Sequence, residues 1–149
     1  MKNVKRFALV LDSGLTLFLT ACGVSNTPEE TLAAQGDFIC RGLVTAVNQE
    51  NVVVPSGASC TLENVSITGN VLVEPRGILT TRGVTIGGSI QADLHKRVTI
   101  AANSRVTGDI QLKQGGNVRI VSSRVGGTLE VESNVGTHFL SRNTVSGDM

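Results

Sequence analysis

Cysteines, histidines and a recurring set of carboxylates are the groups in this chain whose types and spacing could do chemistry. The cysteines are Cys22, Cys40 and Cys60. Neither Cys40 nor Cys60 has a histidine or a second cysteine at metal-ligand spacing, so a disulfide or a pair of buried free thiols is expected there, and no metal site. The chain has two histidines, His95 and His138. Their row positions, assigned below, put His95 in a turn and His138 on an outward face, too far apart for a shared metal or a dyad. Glu74, Asp93, Lys113 and Glu132 recur at one interval, and Gln91, Gln111 and Glu130 at another. Carboxylates on adjacent rows could hold Ca²⁺ or act as an acid/base pair. Lys113 interrupts them, so Glu74, Asp93, Glu130 and Glu132 form at most a weak surface site. No catalytic residue and no cofactor is assigned.

What positions these residues is a repeat. Rows ending at a recurring glycine run 51–69, 70–88, 89–108, 109–127 and 128–147, with lengths of 19, 19, 20, 19 and 20 residues. Each row opens on a small polar residue: Asn51, Asn70, Ser89, Asp109, Thr128. Its second and fourth positions are apolar, as in Val71 and Val73 or Ile110 and Leu112. That alternation marks a strand. A second alternating pair holds Cys60 and Leu62, Leu79 and Thr81, Val98 and Ile100, Val118 and Ile120, then Thr137 and Phe139. A third short strand ends two residues before each glycine. The extra residue of the longer rows is expected between the second and third strands.

Three short strands per row predict an all-β chain wound as a right-handed parallel β-helix of 19–20 residues per rung, since parallel crossovers are overwhelmingly right-handed. The alternative is a β-sandwich with regular turns, whose strands would differ in pattern from row to row. A single row cannot bury its own apolar side, so the rows must stack. The closing glycine is expected to supply a positive φ. Extending the register backwards sets Val47 above Ile67 and Cys40 above Cys60. Neighbours about 4.8 Å apart lie within reach of a disulfide, and an exported chain meets an oxidising compartment, so a Cys40–Cys60 disulfide is predicted.

Composition narrows the function classes. There is no Trp or Tyr among 149 residues, and four Phe. Without Lys2, Lys5, Arg6 and Asp12 the chain keeps 10 basic and 11 acidic residues. That balance excludes a basic nucleic-acid footprint, and the shortage of aromatics leaves no stacking platform for bases or sugars. Polysaccharide lyases built on larger coils carry long loops, clustered acids with a basic catalytic residue, and aromatics. The turns here span a few residues.

The chain begins Met-Lys-Asn-Val-Lys-Arg, followed by an apolar run from Phe7 to Leu19 that is too short for a permanent span. A basic tip and a short apolar run are the layout of an export signal. Leu19-Thr20-Ala21-Cys22 resembles the lipobox of bacterial lipoproteins. The resemblance implies a signal peptide over 1–21 and a diacylglycerol on Cys22 as first mature residue, anchoring the chain to a membrane of the cell envelope. Asp12 within the apolar run departs from that pattern, and a plainly secreted chain is the alternative. Gly23 stands where an inner-membrane retention Asp often stands. Residues 22–37 are expected to be a tether, or to include a short helix over Glu29–Gln35, and 38–149 the β-helix.

Units such as Ile86-Gly-Gly-Ser-Ile-Gln-Ala92 and Val125-Gly-Gly-Thr-Leu-Glu-Val131 resemble those of exported bacterial repeat proteins with a right-handed β-helix, and of bactofilins, whose triangular coil polymerises end to end. The resemblance covers 51–149 and implies the fold alone. The expected function is a non-catalytic, lipid-anchored scaffold or binding module. One alternative is a carbohydrate-binding or carbohydrate-active module facing a cell-wall or surface polysaccharide. Another is self-association through the end of the coil, where Met149 takes an inward position.

Overall fold

Short strands that are apolar on one side must find that side a partner, and here each finds it in the next row. A computed structural model describes residues 36–45 and 48–149. Its first rung consists of β1 (Asp37–Ile39), β2 (Gly42–Thr45) and β3 (Asn48–Gln49). The second holds β4 (Asn51–Val54), β5 (Ser59–Glu63) and β6 (Ser66–Ile67), and the third β7 (Val71–Val73), β8 (Ile78–Arg82) and β9 (Thr85–Ile86). The fourth holds β10 (Ile90–Asp93), β11 (Arg97–Ala101) and β12 (Arg105–Val106), and the fifth β13 (Ile110–Lys113), β14 (Asn117–Val121) and β15 (Arg124–Val125). The sixth is β16 (Leu129–Glu132), β17 (His138–Ser141) and β18 (Thr144–Val145).

Every third strand pairs in parallel, which gives three six-stranded sheets: β1-β4-β7-β10-β13-β16, β2-β5-β8-β11-β14-β17 and β3-β6-β9-β12-β15-β18. Asp37–Met149 is thus one parallel β-solenoid. Val52, Val71, Ile90, Ile110 and Leu129 form one buried column, and Leu79, Val98 and Val118 continue another below Cys60. Ile67, Ile86, Val106 and Val125 line the third side. Among the described residues no phenylalanine is buried, because the interior is as narrow as branched aliphatic side chains need.

The row-closing glycines have a different reason from the expected one. Positive φ occurs at Gly42, Gly57 and Gly83, and not at Gly69, Gly88, Gly108, Gly127 or Gly147. Instead, a Cβ at Gly88 would lie 2.6 Å from the Gly69 carbonyl oxygen and press on the Asn70 side chain. That side chain is busy: Asn70 Oδ1 accepts the Ser89 N–H at 2.8 Å, as Asn51 Oδ1 accepts Asn70 N–H at 2.9 Å and Asp109 Oδ1 accepts Thr128 N–H at 2.8 Å. Ser89 Oγ does the same for Asp109 N–H at 2.9 Å. The small polar opening position and the glycine that closes the same row are therefore one device. Left-handed backbone falls to other residues at the two remaining corners: Gly57, Arg76, Leu94, Gln114 and Ser133 at the first, and Asn64, Gly83, Ala102, Ser122 and Arg142 at the second, all have positive φ.

Two registers also differ from expectation. In the last row β17 pairs His138 with Val118, Phe139 with Arg119 and Leu140 with Ile120. His138 and Leu140, not Thr137 and Phe139, hold the inward positions. The extra residue of that row lies in the first corner, within Ser133–Thr137, whereas that of row 89–108 lies between the second and third strands as expected. At the start, Gly42 faces Cys60 and Gln49 faces Ile67, so the Val47 and Cys40 columns do not form as drawn, and Val47 lies outside the described residues. Only Cys40 and Arg41 separate β1 from β2, against Pro55–Ala58 between β4 and β5.

Candidate functional site

The first rung carries the disulfide. Cys40 N–H donates to the Val53 carbonyl at 2.8 Å, which turns the chain inward at the corner. Its side chain is buried and bonded to Cys60, with the Cα atoms 5.5 Å apart. The bond forms on a diagonal between corner and strand, where the expected column would have placed the two residues directly above one another. Cys22 and the whole N-terminal segment lie outside the described residues.

The carboxylate face lies on the outward side of the first sheet. Asp93, Lys113 and Glu132 stand in one register line, and Gln91, Gln111 and Glu130 in the next. Val73 faces Ala92, so Glu74 continues the line of Asp93. Lys113 Nζ sits 3.0 Å from Glu130 and 3.8 Å from Glu132. Its hydrogen bond to Glu130 raises the Lys113 pKa and lowers that of Glu130. Gln91 donates to Gln111 at 3.2 Å. Glu130 and Glu132 are thus compensated by one ammonium, which suits a solvated face and not a poised acid/base pair. Among the described residues no group of three His, Cys, Asp or Glu could hold a metal ion.

The histidines divide. His138 is exposed. His95 is 2% exposed, so the expected solvated turn residue is a buried one. Its ring fills the space that Gly115 leaves open one rung below. Nδ1 lies 3.3 Å from the Ala92 carbonyl, while Nε2 is buried without a hydrogen-bond partner. Burial lowers its pKa, opposed by the Ala92 carbonyl and Asp93 and assisted by His138.

The corrected register of β17 uncovers a feature that sequence reasoning missed. Phe139 points outward and is 49% exposed. The Arg119 guanidinium lies over its ring, 5.0 Å from the centroid. With Arg97, Thr99, Asn117 and Thr137 they line a hollow of about 270 Å³ on the second sheet. Around the corner, Arg124, Arg142, Asn103 and Thr144 line a polar hollow of about 290 Å³, and Arg105 stacks on Arg124 in the third sheet. The signal that could have found Phe139 was the spacing of Leu140 to Val145, which matches Ile120 to Val125.

No family model, no curated protein and no solved structure matches this chain. Function therefore rests on the residues alone.

Proposed function

We propose that this chain is an exported, lipid-anchored protein whose β-solenoid serves outside the cytoplasm as a rigid, non-catalytic scaffold presenting a binding face. The observation that supports it best is the Cys40–Cys60 disulfide. Disulfides persist in oxidising compartments and are rare in the cytosol. The basic tip, apolar run and Cys22 point the same way from the sequence. A solenoid held by three hydrogen-bonded sheets transmits position along its axis, which is what a spacer on a membrane anchor needs.

The test is metabolic labelling with a radioactive fatty acid, in the wild type and in Cys22→Ala, followed by membrane fractionation. Label and membrane retention are expected in the wild type, and both should vanish in the variant. An unlabelled wild type recovered outside the cell would leave a plainly secreted scaffold. Recovery from the cytoplasm with Cys40 and Cys60 alkylated would overturn export itself. The second reading, a carbohydrate-binding module, is favoured by the exposed Phe139 ring beside two arginines.

A further inference from the structure

Acids and arginines on the last three rungs are segregated by side, with Lys113 the one cation on the strands of the acidic face. Within 89–147 the acids are Asp93, Asp109, Glu130 and Glu132. Asp93, Glu130 and Glu132 lie on strands of the first sheet, and Asp109 opens a row just before it. The arginines of the same stretch are Arg97, Arg105, Arg119, Arg124 and Arg142, all on the second and third sheets or the corner between them. Among the described residues, ion pairs join Arg82 to Glu63 and Lys113 to Glu130 and Glu132, and these five arginines enter none of them.

Their placement is ordered. Arg97 faces Asn117 while Thr99 faces Arg119, so the two guanidinium stems stand diagonally on adjacent rungs, about 8 Å apart at Cα from a rung spacing of about 4.8 Å and two residues of advance. Arg105 and Arg124 are direct partners on adjacent rungs. The Phe139 ring under Arg119 holds that guanidinium against its face, which restricts the side chain and leaves the edge N–H groups available. A planar guanidinium binds a carboxylate through two parallel hydrogen bonds. The remaining half-exposed apolar surface of Phe139, beside the hydroxyls of Thr99 and Thr137, suits the C–H face and hydroxyls of a sugar ring.

We propose that the second and third sheets of the last three rungs form a binding surface for a carboxylate-bearing polysaccharide, with Arg97 and Arg119 beside Phe139 gripping one uronate unit and Arg105, Arg124 and Arg142 the chain beyond the corner. A single-stranded nucleic acid fits less well, because one ring offers no run of stacking platforms. This deepens the proposed function, on which it rests for the presence of such a polymer outside the cytoplasm.

The experiment uses the full chain in detergent, as wild type and as Cys22→Ala, with polygalacturonate and its fully methyl-esterified counterpart as probes. The acidic polymer should bind both proteins equally, and esterification should weaken binding by about tenfold or more, as should Arg119→Gln or Arg124→Gln. Arg119→Lys should recover part of the loss, and Lys113→Gln on the opposite face should change nothing. Thermal melts confirm that each variant is folded. Equal binding of the two polymers, or wild-type affinity in folded arginine variants, overturns the proposal. So does equally tight binding of duplex DNA or phosphatidylglycerol vesicles at matched charge, which would assign the surface to nucleic acid or membrane. A chain that binds the acidic polymer but takes no fatty acid sustains the surface and sinks only the anchor.

Discussion

At the scale of the residue, His95 is where chemistry and packing meet. Its ring occupies a corner that Gly115 keeps open, and the neutral form with Nδ1–H facing Ala92 O satisfies one nitrogen. Protonation would place a charge and a partnerless N–H in that corner, at the cost of desolvation. Because the folded-state pKa lies below the ordinary value of 6.5, the unfolded chain binds the proton first as pH falls. Stability from this group is therefore complete above pH about 6.5 and is lost as pH drops toward the lowered folded value. Urea unfolding between pH 8 and 5 is expected to show a plateau and then a decline. His95→Leu should remove that decline, and His138→Leu should largely keep it. The sequence disclosed the corner but not the burial, since a turn position in a repeat carries no sign of what the row below omits. A small residue at the matching place, Gly115, was the available hint.

At the scale of the element, the strand columns were almost fully legible, and the failures have one cause. Inward and outward positions alternate with a period of two, so an insertion assigned to the wrong corner turns every side chain of the next strand over. In row 89–108 the extra residue could be located from Ala102-Asn103-Ser104. In row 128–147 the corner Ser133–Thr137 and the corner Ser141–Asn143 are equally polar, so composition does not say which is longer, and the outward place of Phe139 is not legible. The first rung failed in the same way, through a corner shortened to Cys40-Arg41. Of the polar residues in the core, Thr81 was legible from its place in the second alternating pair, and Ser104, in a corner, was not. Thr81 is buried with its hydroxyl 3.2 Å from Ser104 Oγ, which also donates to Ala101 O at 2.7 Å. The corrected register makes a sharp contrast. Ile120→Ala should cost about 2–5 kcal/mol, as for a fully buried aliphatic side chain. Phe139→Ala, larger by volume, should cost under about 1 kcal/mol because its ring packs on the surface. Guanidinium denaturation of both variants decides: equal losses would restore Phe139 to the interior.

At the scale of the whole molecule, a solenoid is close to one-dimensional. Each rung is stabilised by its own strands and by the rungs on either side, so a rung with fewer contacts opens first. The first rung is the shortest, with a corner of only Cys40 and Arg41 and strands of three, four and two residues, and it bears exposed Ile39 and Leu43. The Cys40–Cys60 bond spans a sequence separation of 20 residues and ties this rung to the one below. Closing a loop of that size restricts the unfolded chain by about 3 kcal/mol. The effect should be local as well as global, because the fourth and fifth rungs are held by Ile90, Ile100, Ile110 and Ile120, all fully buried. Hydrogen exchange in the presence and absence of reductant separates the two contributions. Reduction should strip protection from the amides of β2 and β3 while those of β11 and β14 lose little. Midpoints in denaturant should fall by an amount matching about 3 kcal/mol. Uniform loss of protection along all six rungs would mean that the coil unfolds as one unit and that the bond stabilises it only through the unfolded state. Confinement of the loss to the first rung would make the disulfide a clamp on that end of the coil, holding in place a rung that its own short strands do not.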